Sequence, residues 1–367
     1  MEKLKIKDIT SFLEGWAPLA YQESYDNSGL LTGDPNWAVS GVLVTLDCLE
    51  SVVEEAIDLK CNLIVAHHPI IFQGLKRLTG KNYVERTVIK AIKNDIAIYA
   101  IHTNLDNIHS GVNKMIAEKI GLTGLQILQS KADTLLKLVT FIPKDETEKV
   151  VAALHAAGAG NIGNYENCSF QVMGQGSFQP TEHANPYLGS KGQLQKVEEI
   201  RIEMILPATA ETTVLNALKQ AHPYEEVAYY LIPLSNAHQQ IGAGMIGTLQ
   251  EPLEPTTFLV RLKAQMNTAC IRHTALPAKP IRKVAVCGGA GSFLLPQAKA
   301  MGADAYVSAD FKYHEFFDAE GEILVADLGH YESEQYTKDL IKEVLERKFP
   351  NFAVYFSKSV TNPISYL

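Results

Sequence analysis

GVLVTLDCLESVVEEAIDLKCNLIVAHH, residues 41–68, reads as strand, helix, strand. Residues 41–47 form a short run rich in Val and Leu, and 62–66 form a second apolar run. Between them Val52, Val53, Ala56, Ile57 and Leu59 fall on one face of a helix. Two strands joined by a crossover helix pair in parallel, so the stretch predicts a βαβ unit and an α/β fold. The alternation continues with a helix over 83–94, a strand over 96–101 and a helix over 111–120.

The last third repeats this pattern. Residues 283–286 read as a strand, Gly288-Gly289-Ala290-Gly291-Ser292 as a glycine-rich turn, 293–301 as a helix and 304–308 as the next strand. Aligning Val44 with Val286 carries 63–68 onto 305–310 without a gap, and a shorter spacing sets Asp106 on His330 and helix 111–120 beside a helix over 335–347. Any two βαβ units resemble each other in pattern. Here every candidate ligand also falls at a strand end, which favours a duplication. The middle differs: strand 137–142, helix 146–157, strands 167–175 and 198–206, helix 210–221 and strand 227–233, with a polar loop over 177–195. That is the split βαβ, or ferredoxin-like, plan. The expected organisation is a first half of a metal-binding α/β domain in 1–125, an inserted α+β domain in 126–234, and the second half in 235–367.

A chain of 367 residues exceeds one typical domain, and a hydrophobic share of 46% with 20% charged residues is ordinary for a globular protein. The net charge of −8 and pI near 5.8 argue against a broad nucleic-acid surface. Cys48, Cys61, Cys168, Cys270 and Cys287 show no Cys-x-x-Cys spacing, as expected of reduced thiols in a cytoplasmic protein. Cys61 and Cys287 sit beside apolar runs and are expected to pack as small hydrophobes. The N-terminal stretch reads as an amphipathic helix rather than a signal peptide, and no run of ~20 apolar residues suggests a membrane span.

The chemistry lies at the strand ends. His67-His68 follows one apolar run, Asp106 closes another, and His330 and Glu334 share a helix face after Ile323–Ala326. Taken singly, a His pair suits a solvated loop, His330 with Glu334 a helix-surface pair, and Asp106 a helix cap. Together, at the carboxyl ends of strands, they suit a metal site. Three imidazoles and two carboxylates exceed what one tetrahedral ion with an open position needs, and fit two ions ~3.5–4 Å apart. Two divalent ions per subunit are therefore expected, zinc first and Mn, Fe, Co or Ni as alternatives. His102 and Asp310 are the candidates for a supporting or acid–base role. Gly288–Ser292 reads either as a phosphate-cradling turn or, lacking the Walker lysine, as a tight turn for close packing. His222-Pro223-Tyr224-Glu225-Glu226 reads as a helix-ending turn or as part of a second binding surface.

DNSGLLTG at 26–33, AHHPIIFQGLK at 66–76, HTNLDNIHSGVN at 102–113, GGAGSF at 288–293 and HYESE at 330–334 make the chain similar to the GTP cyclohydrolase I type 2 homologue, or Nif-three-like, family. The resemblance covers both outer thirds. It implies that His67, His68, Asp106, His330 and Glu334 bind a pair of divalent ions. It also implies a PII/CutA-like insert and a toroidal homohexamer, a trimer of dimers. A hydrolase using metal-activated water on GTP, an amide or a phosphoester is the first expectation for function, with an unidentified small molecule as substrate. A non-catalytic metal carrier or regulator is the second. An interaction scaffold is the third, with Lys76, Arg77 and Lys312 as a basic lining for a nucleic-acid strand or phosphate ligand.

Overall fold

The computed structural model describes residues 3–367. They form two compact units, one taking in the chain up to Ser130 together with Gln240–Leu367, the other Lys131–Gln239. The first unit opens with β1 (Gly29–Thr32), β2 (Val42–Thr45), β3 (Leu63–Ala66), β4 (Ala97–Ala100) and β5 (Leu122–Ser130). The second holds β6 (Leu135–Pro143), β7 (Phe170–Phe178), β8 (Gln195–Pro207) and β9 (Tyr229–Leu234). The first unit then resumes with β10 (Gly242–Leu253), β11 (Arg272–His273), β12 (Ile281–Ala290), β13 (Ala305–Ala309), β14 (Leu324–Asp327) and β15 (Val354–Phe356).

Two mixed sheets make the first unit, in the orders β1-β4-β3-β2-β15 and β11-β14-β13-β12-β10-β5. The three central strands of each are parallel, with Val44 beside Val65 and Val65 beside Tyr99 in one, and Val286 beside Val307 and Val307 beside Ala326 in the other. These strands are buried on both faces, which is why their sequences are unbroken apolar runs. Val44, Val65 and Tyr99 share one hydrophobic core with Val286, Val307 and Ala326, so the two sheets pack face to face. Leu43, Ile64 and Ile98 point the other way, onto Val52, Val53 and Ala56 of helix Glu50–Asp58 and Val88 and Ala91 of helix Tyr83–Lys93. Ala285, Tyr306 and Val325 do the same against Leu295 and Ala298.

Several sequence expectations need correction. Ile57 and Leu59 do not join the buried face of their helix; they are 39% and 38% exposed, because the stripe meeting the sheet is narrower than the apolar pattern. The glycine-rich stretch is not a turn between strand and helix. β12 continues through Ala290, with a register irregularity between Val286 and Ala290. The helix expected over 335–347 is present at Thr337–Lys348, and His330 and Glu334 share a separate short helix, His330–Glu334, as expected. β1, β5, β10, β15 and helix Pro255–Gln265 had no counterpart in the sequence reading. Cys61 and Cys287 are buried, as expected.

The second unit runs strand, helix, strand, strand, helix, strand, and its antiparallel sheet has the order β7-β8-β6-β9. Val150 and Leu154 of helix Thr147–Ala156 and Val214 and Leu218 of helix Glu211–Ala221 cover Leu138, Ile142, Ile202 and Met204 of its sheet. This is a split βαβ arrangement.

Candidate metal centre

Parallel strands deliver side chains at their carboxyl ends, where α/β proteins place their sites. Asp47 follows β2, and His67 and His68 follow β3. His102 and Asp106 begin and close the short turn of helix after β4, Asp310 follows β13, and His330 and Glu334 begin and end the helix after β14. The two packed sheets bring these ends together.

Glu334 lies at the middle. Its Oε2 is 3.0 Å from His68 Nε2 and 3.1 Å from His330 Nε2, while its Oε1 is 3.8 Å from His67 Nε2. Asp106 Oδ1 stands 3.7 Å from the same His67 nitrogen, and the Nε2 atoms of His68 and His330 are 3.3 Å apart. Three triads have ligand atoms within 4.8 Å of one another: His67–Asp106–Glu334, His68–His330–Glu334 and His67–His68–His102.

Each imidazole is held from behind. His67 Nδ1 donates to the Ile101 carbonyl oxygen at 2.8 Å, and His68 Nδ1 to Asp47 Oδ1 at 2.7 Å. His330 Nδ1 donates to Asp310 Oδ2 at 2.7 Å, and His102 Nδ1 to Asp26 Oδ1 at 2.8 Å. An acceptor on Nδ1 fixes the ring and frees Nε2 as a lone-pair donor, the support that metal-ligating histidines receive. His67 Nε2 and Asp106 Oδ1 are buried without a hydrogen-bond partner among the described residues. Buried polar atoms seldom stay unpaired, so these two fit the demands of a cation. These buried His and Glu groups could hold a metal ion.

Electrostatics agree. Burial opposes charge on His68, but hydrogen bonds with Asp47 and Glu334 outweigh it and raise the imidazole to about 9. His330 is likewise raised to about 11, the charge of Glu334 and the bond with Asp310 overcoming burial. Burial, then repulsion from Glu334, lifts Asp106 well above the usual carboxylate range. Glu334 moves the other way. Its burial is overcome by His330, and it stays ionised. The raised values of His68, His330 and Asp106 mean that a divalent cation binding here would compete with protons on these groups.

The backbone makes room for this. Gly289 has φ +62°, and a Cβ there would sit 2.6 Å from Glu334 Oε1 and 3.2 Å from His330 Cε1. Gly289 therefore permits close packing of the glycine-rich stretch against Glu334 and His330. Asp310 adopts φ 57°, an uncommon conformation that Asp tolerates better than most, in the turn that sets its carboxylate on His330.

Asp26 and Asp47 were missed in the sequence. Asp47 ends the first apolar run, and that strand-end position was its available signal; Asp26 precedes β1, and its place in the DNSGLLTG motif was its only signal. Lys76, Arg77 and Lys312 are exposed. His222 caps its helix, accepting from Tyr224 N at 3.1 Å while its Nε2 donates to the Phe141 carbonyl at 3.0 Å, so His222–Glu226 begins as a helix-ending turn. An open cleft of about 1030 Å³ borders His68 and Asp47, flanked by Leu49, Phe72, Leu75 and Tyr83. Among the described residues no helix is long and apolar enough to cross a membrane.

Two facing α/β sheets that pool histidines and carboxylates from distant parts of the chain define a class of fold with a site able to hold metal. The chain belongs to the Duf34/NIF3 (NGG1p interacting factor 3) family, whose model matches residues 4–363. A GTP cyclohydrolase 1 type 2 homolog of Bacillus subtilis (strain 168) is 39% identical over 367 residues, covering 98% of each chain. A solved Bacillus cereus protein related to NIF3 is 39% identical, covers 100% of both chains and superposes with a TM-score of 0.88. A Staphylococcus aureus structure gives 31% identity, 100% coverage of both and a TM-score of 0.80.

Proposed function

We propose that His67, His68, Asp106, His330 and Glu334 bind two divalent ions and that the site hydrolyses a planar heterocyclic or amide substrate. The observation that carries this is the division of Glu334. Its Oε1 faces His67 beside Asp106, and its Oε2 faces His68 and His330. One carboxylate shared between two donor groups is how paired ions are held. Zinc suits the mixed His and carboxylate donors, and availability decides between it and Mn, Fe, Co or Ni. Bound there, the ions supply Lewis acidity and lower the pKa of water.

The chain's own residues do the rest. Asp47 and Asp310 orient His68 and His330. Asp26 fixes His102 so that its Nε2 can carry a proton to a leaving nitrogen or oxygen. Substrate approaches through the cleft beside His68, where Phe72 and Tyr83 offer flat apolar surface. GTP, opened at its imidazole ring, is the first substrate to test, because the Bacillus subtilis relative is named a GTP cyclohydrolase 1 type 2 homolog. The test is elemental analysis of the purified protein followed by hydrolysis assays with GTP, amides and phosphoesters, using the His67→Ala, His68→Ala double variant as control. Metal-dependent turnover lost in the double variant supports the reading. Bound metal without turnover on any of these assigns the chain to metal carriage, and no bound metal overturns the site.

We also propose that the first unit arose by duplication and that the second is a PII/CutA-like insertion between its halves. What supports duplication is the shared arrangement: β4-β3-β2 corresponds to β14-β13-β12, and an antiparallel edge strand, β1 or β11, flanks each. On family membership we propose a cytoplasmic toroidal homohexamer.

A further inference from the structure

The last eleven residues, 357–367, have no regular secondary structure, yet residues 357–362 are tied to the fold by hydrogen bonds. After β15, Ser357 N donates to the Val44 carbonyl at 2.9 Å. Glu55 then gathers the chain through Ser357 Oγ at 2.7 Å, Lys358 N at 2.8 Å and Ser359 Oγ at 3.1 Å. The next residues reach the site. Thr361, only 7% exposed, donates its hydroxyl to Asp47 Oδ2 at 2.6 Å, and the other oxygen of that carboxylate holds His68 Nδ1. Asn362 Nδ2 donates to Glu332 Oε1 at 3.0 Å. Glu332 is 5% exposed and lies on the short helix that carries His330 and Glu334.

Two adjacent tail residues therefore brace donors from opposite halves of the first unit. Asp47 steadies His68 from the first half, and Glu332 belongs to the ligand helix of the second. The geometry points to Thr361 and Asn362 as positioning residues: they lock Asp47, and through it His68, against the helix of His330 and Glu334, so that the C-terminal tail sets the site's affinity for metal. Glu55, by fixing residues 357–359, delivers the pair at the right height.

This inference rests on the proposed metal site, and its test separates the two. Thr361→Val removes the hydroxyl at constant shape, Thr361→Ser restores it, and Asn362→Leu removes the second brace. Zn(II) affinity is measured by chelator competition, and histidine ring nitrogens are followed by 15N NMR in the metal-free full-length protein. Thr361→Val is expected to weaken Zn(II) binding by about 10-fold or more, as loss of groups that orient ligands does. The wild type is expected to show a sharp, hydrogen-bonded Nδ1 proton on His68, held by Asp47; Thr361→Val should remove it, and Thr361→Ser should recover both it and the Zn(II) affinity. Asn362→Leu should weaken Zn(II) without altering the His68 signal. If Thr361→Val leaves the His68 signal unchanged, the tail merely packs and the proposal falls. A wild type that shows the tail-dependent His68 signal but binds no Zn(II) overturns the metal site and, with it, the tail's role in affinity.

Discussion

Glu334 Oε2 lies 3.0 Å from His68 Nε2, although 266 residues separate the two in the chain. The contact exists because the parallel strands of two packed sheets end at one place, and it makes Glu334 the residue on which both halves of the site meet.

Glu334→Gln keeps the shape and removes the charge shared between the two donor groups. We expect metal affinity to fall by at least about 10–100-fold, beyond which chelator competition reads no binding. Undiminished affinity would show that the ions, if bound, sit elsewhere.

Gly289→Ala tests the room made for the ligands. The new Cβ would stand 2.6 Å from Glu334 Oε1, in a backbone conformation with φ +62° that alanine disfavours. Metal affinity should fall about 10-fold or more while the circular dichroism of the fold is kept, and a crystal structure should show Glu334 displaced.

His102→Asn separates binding from turnover. With Asp26 holding its Nδ1, His102 sits 5.3 Å, ring centroid to centroid, from both His67 and His68. If it transfers the proton, kcat falls by about 10²–10⁴-fold while metal content measured on the same sample stays. Loss of metal in step with activity would make it a ligand instead.

Ile64→Ala opens a hole in the layer between the first sheet and its helices, where Ile64 is fully buried against Val52 and Val88. Urea unfolding should show a loss of about 2–5 kcal/mol.

Glu55 gives a pH dependence away from the candidate metal site. Burial raises its pKa, but the Lys358 N–H and the Ser357 hydroxyl win, so the folded value lies below the ordinary 4.5. A depressed folded value means the carboxylate stabilises the fold above about 4.5 and loses that contribution as pH falls through the folded value. Melting temperatures of metal-free wild type and Glu55→Gln should therefore differ most at neutral pH and converge in acid. A difference constant with pH would contradict the sign.

Much of this was legible in the residues because burial on both faces writes itself as an unbroken apolar run. Leu63–Ala66 and Leu324–Asp327 announced strands, and the polar groups after them announced a site. β5 and β10 were not legible, since their half-buried, glycine-interrupted patterns carry no clean alternation. The five candidate ligands could be named from position, but the partners of the histidines' Nδ1 atoms could not. Which ring nitrogen Asp26 and Asp47 each hold is visible only in three dimensions. Thr361 and Asn362 gave no signal at all, lying in a polar tail whose contacts are entirely tertiary.

The most direct measurement is anomalous diffraction at a metal absorption edge from crystals of the metal-loaded protein. We predict two peaks ~3.5–4 Å apart. One should lie at ligand distance (~2.0–2.2 Å) from His67, Asp106 and Glu334, and the other from His68, His330 and Glu334. Peaks that leave Glu334 or His330 outside ligand distance would contradict the account.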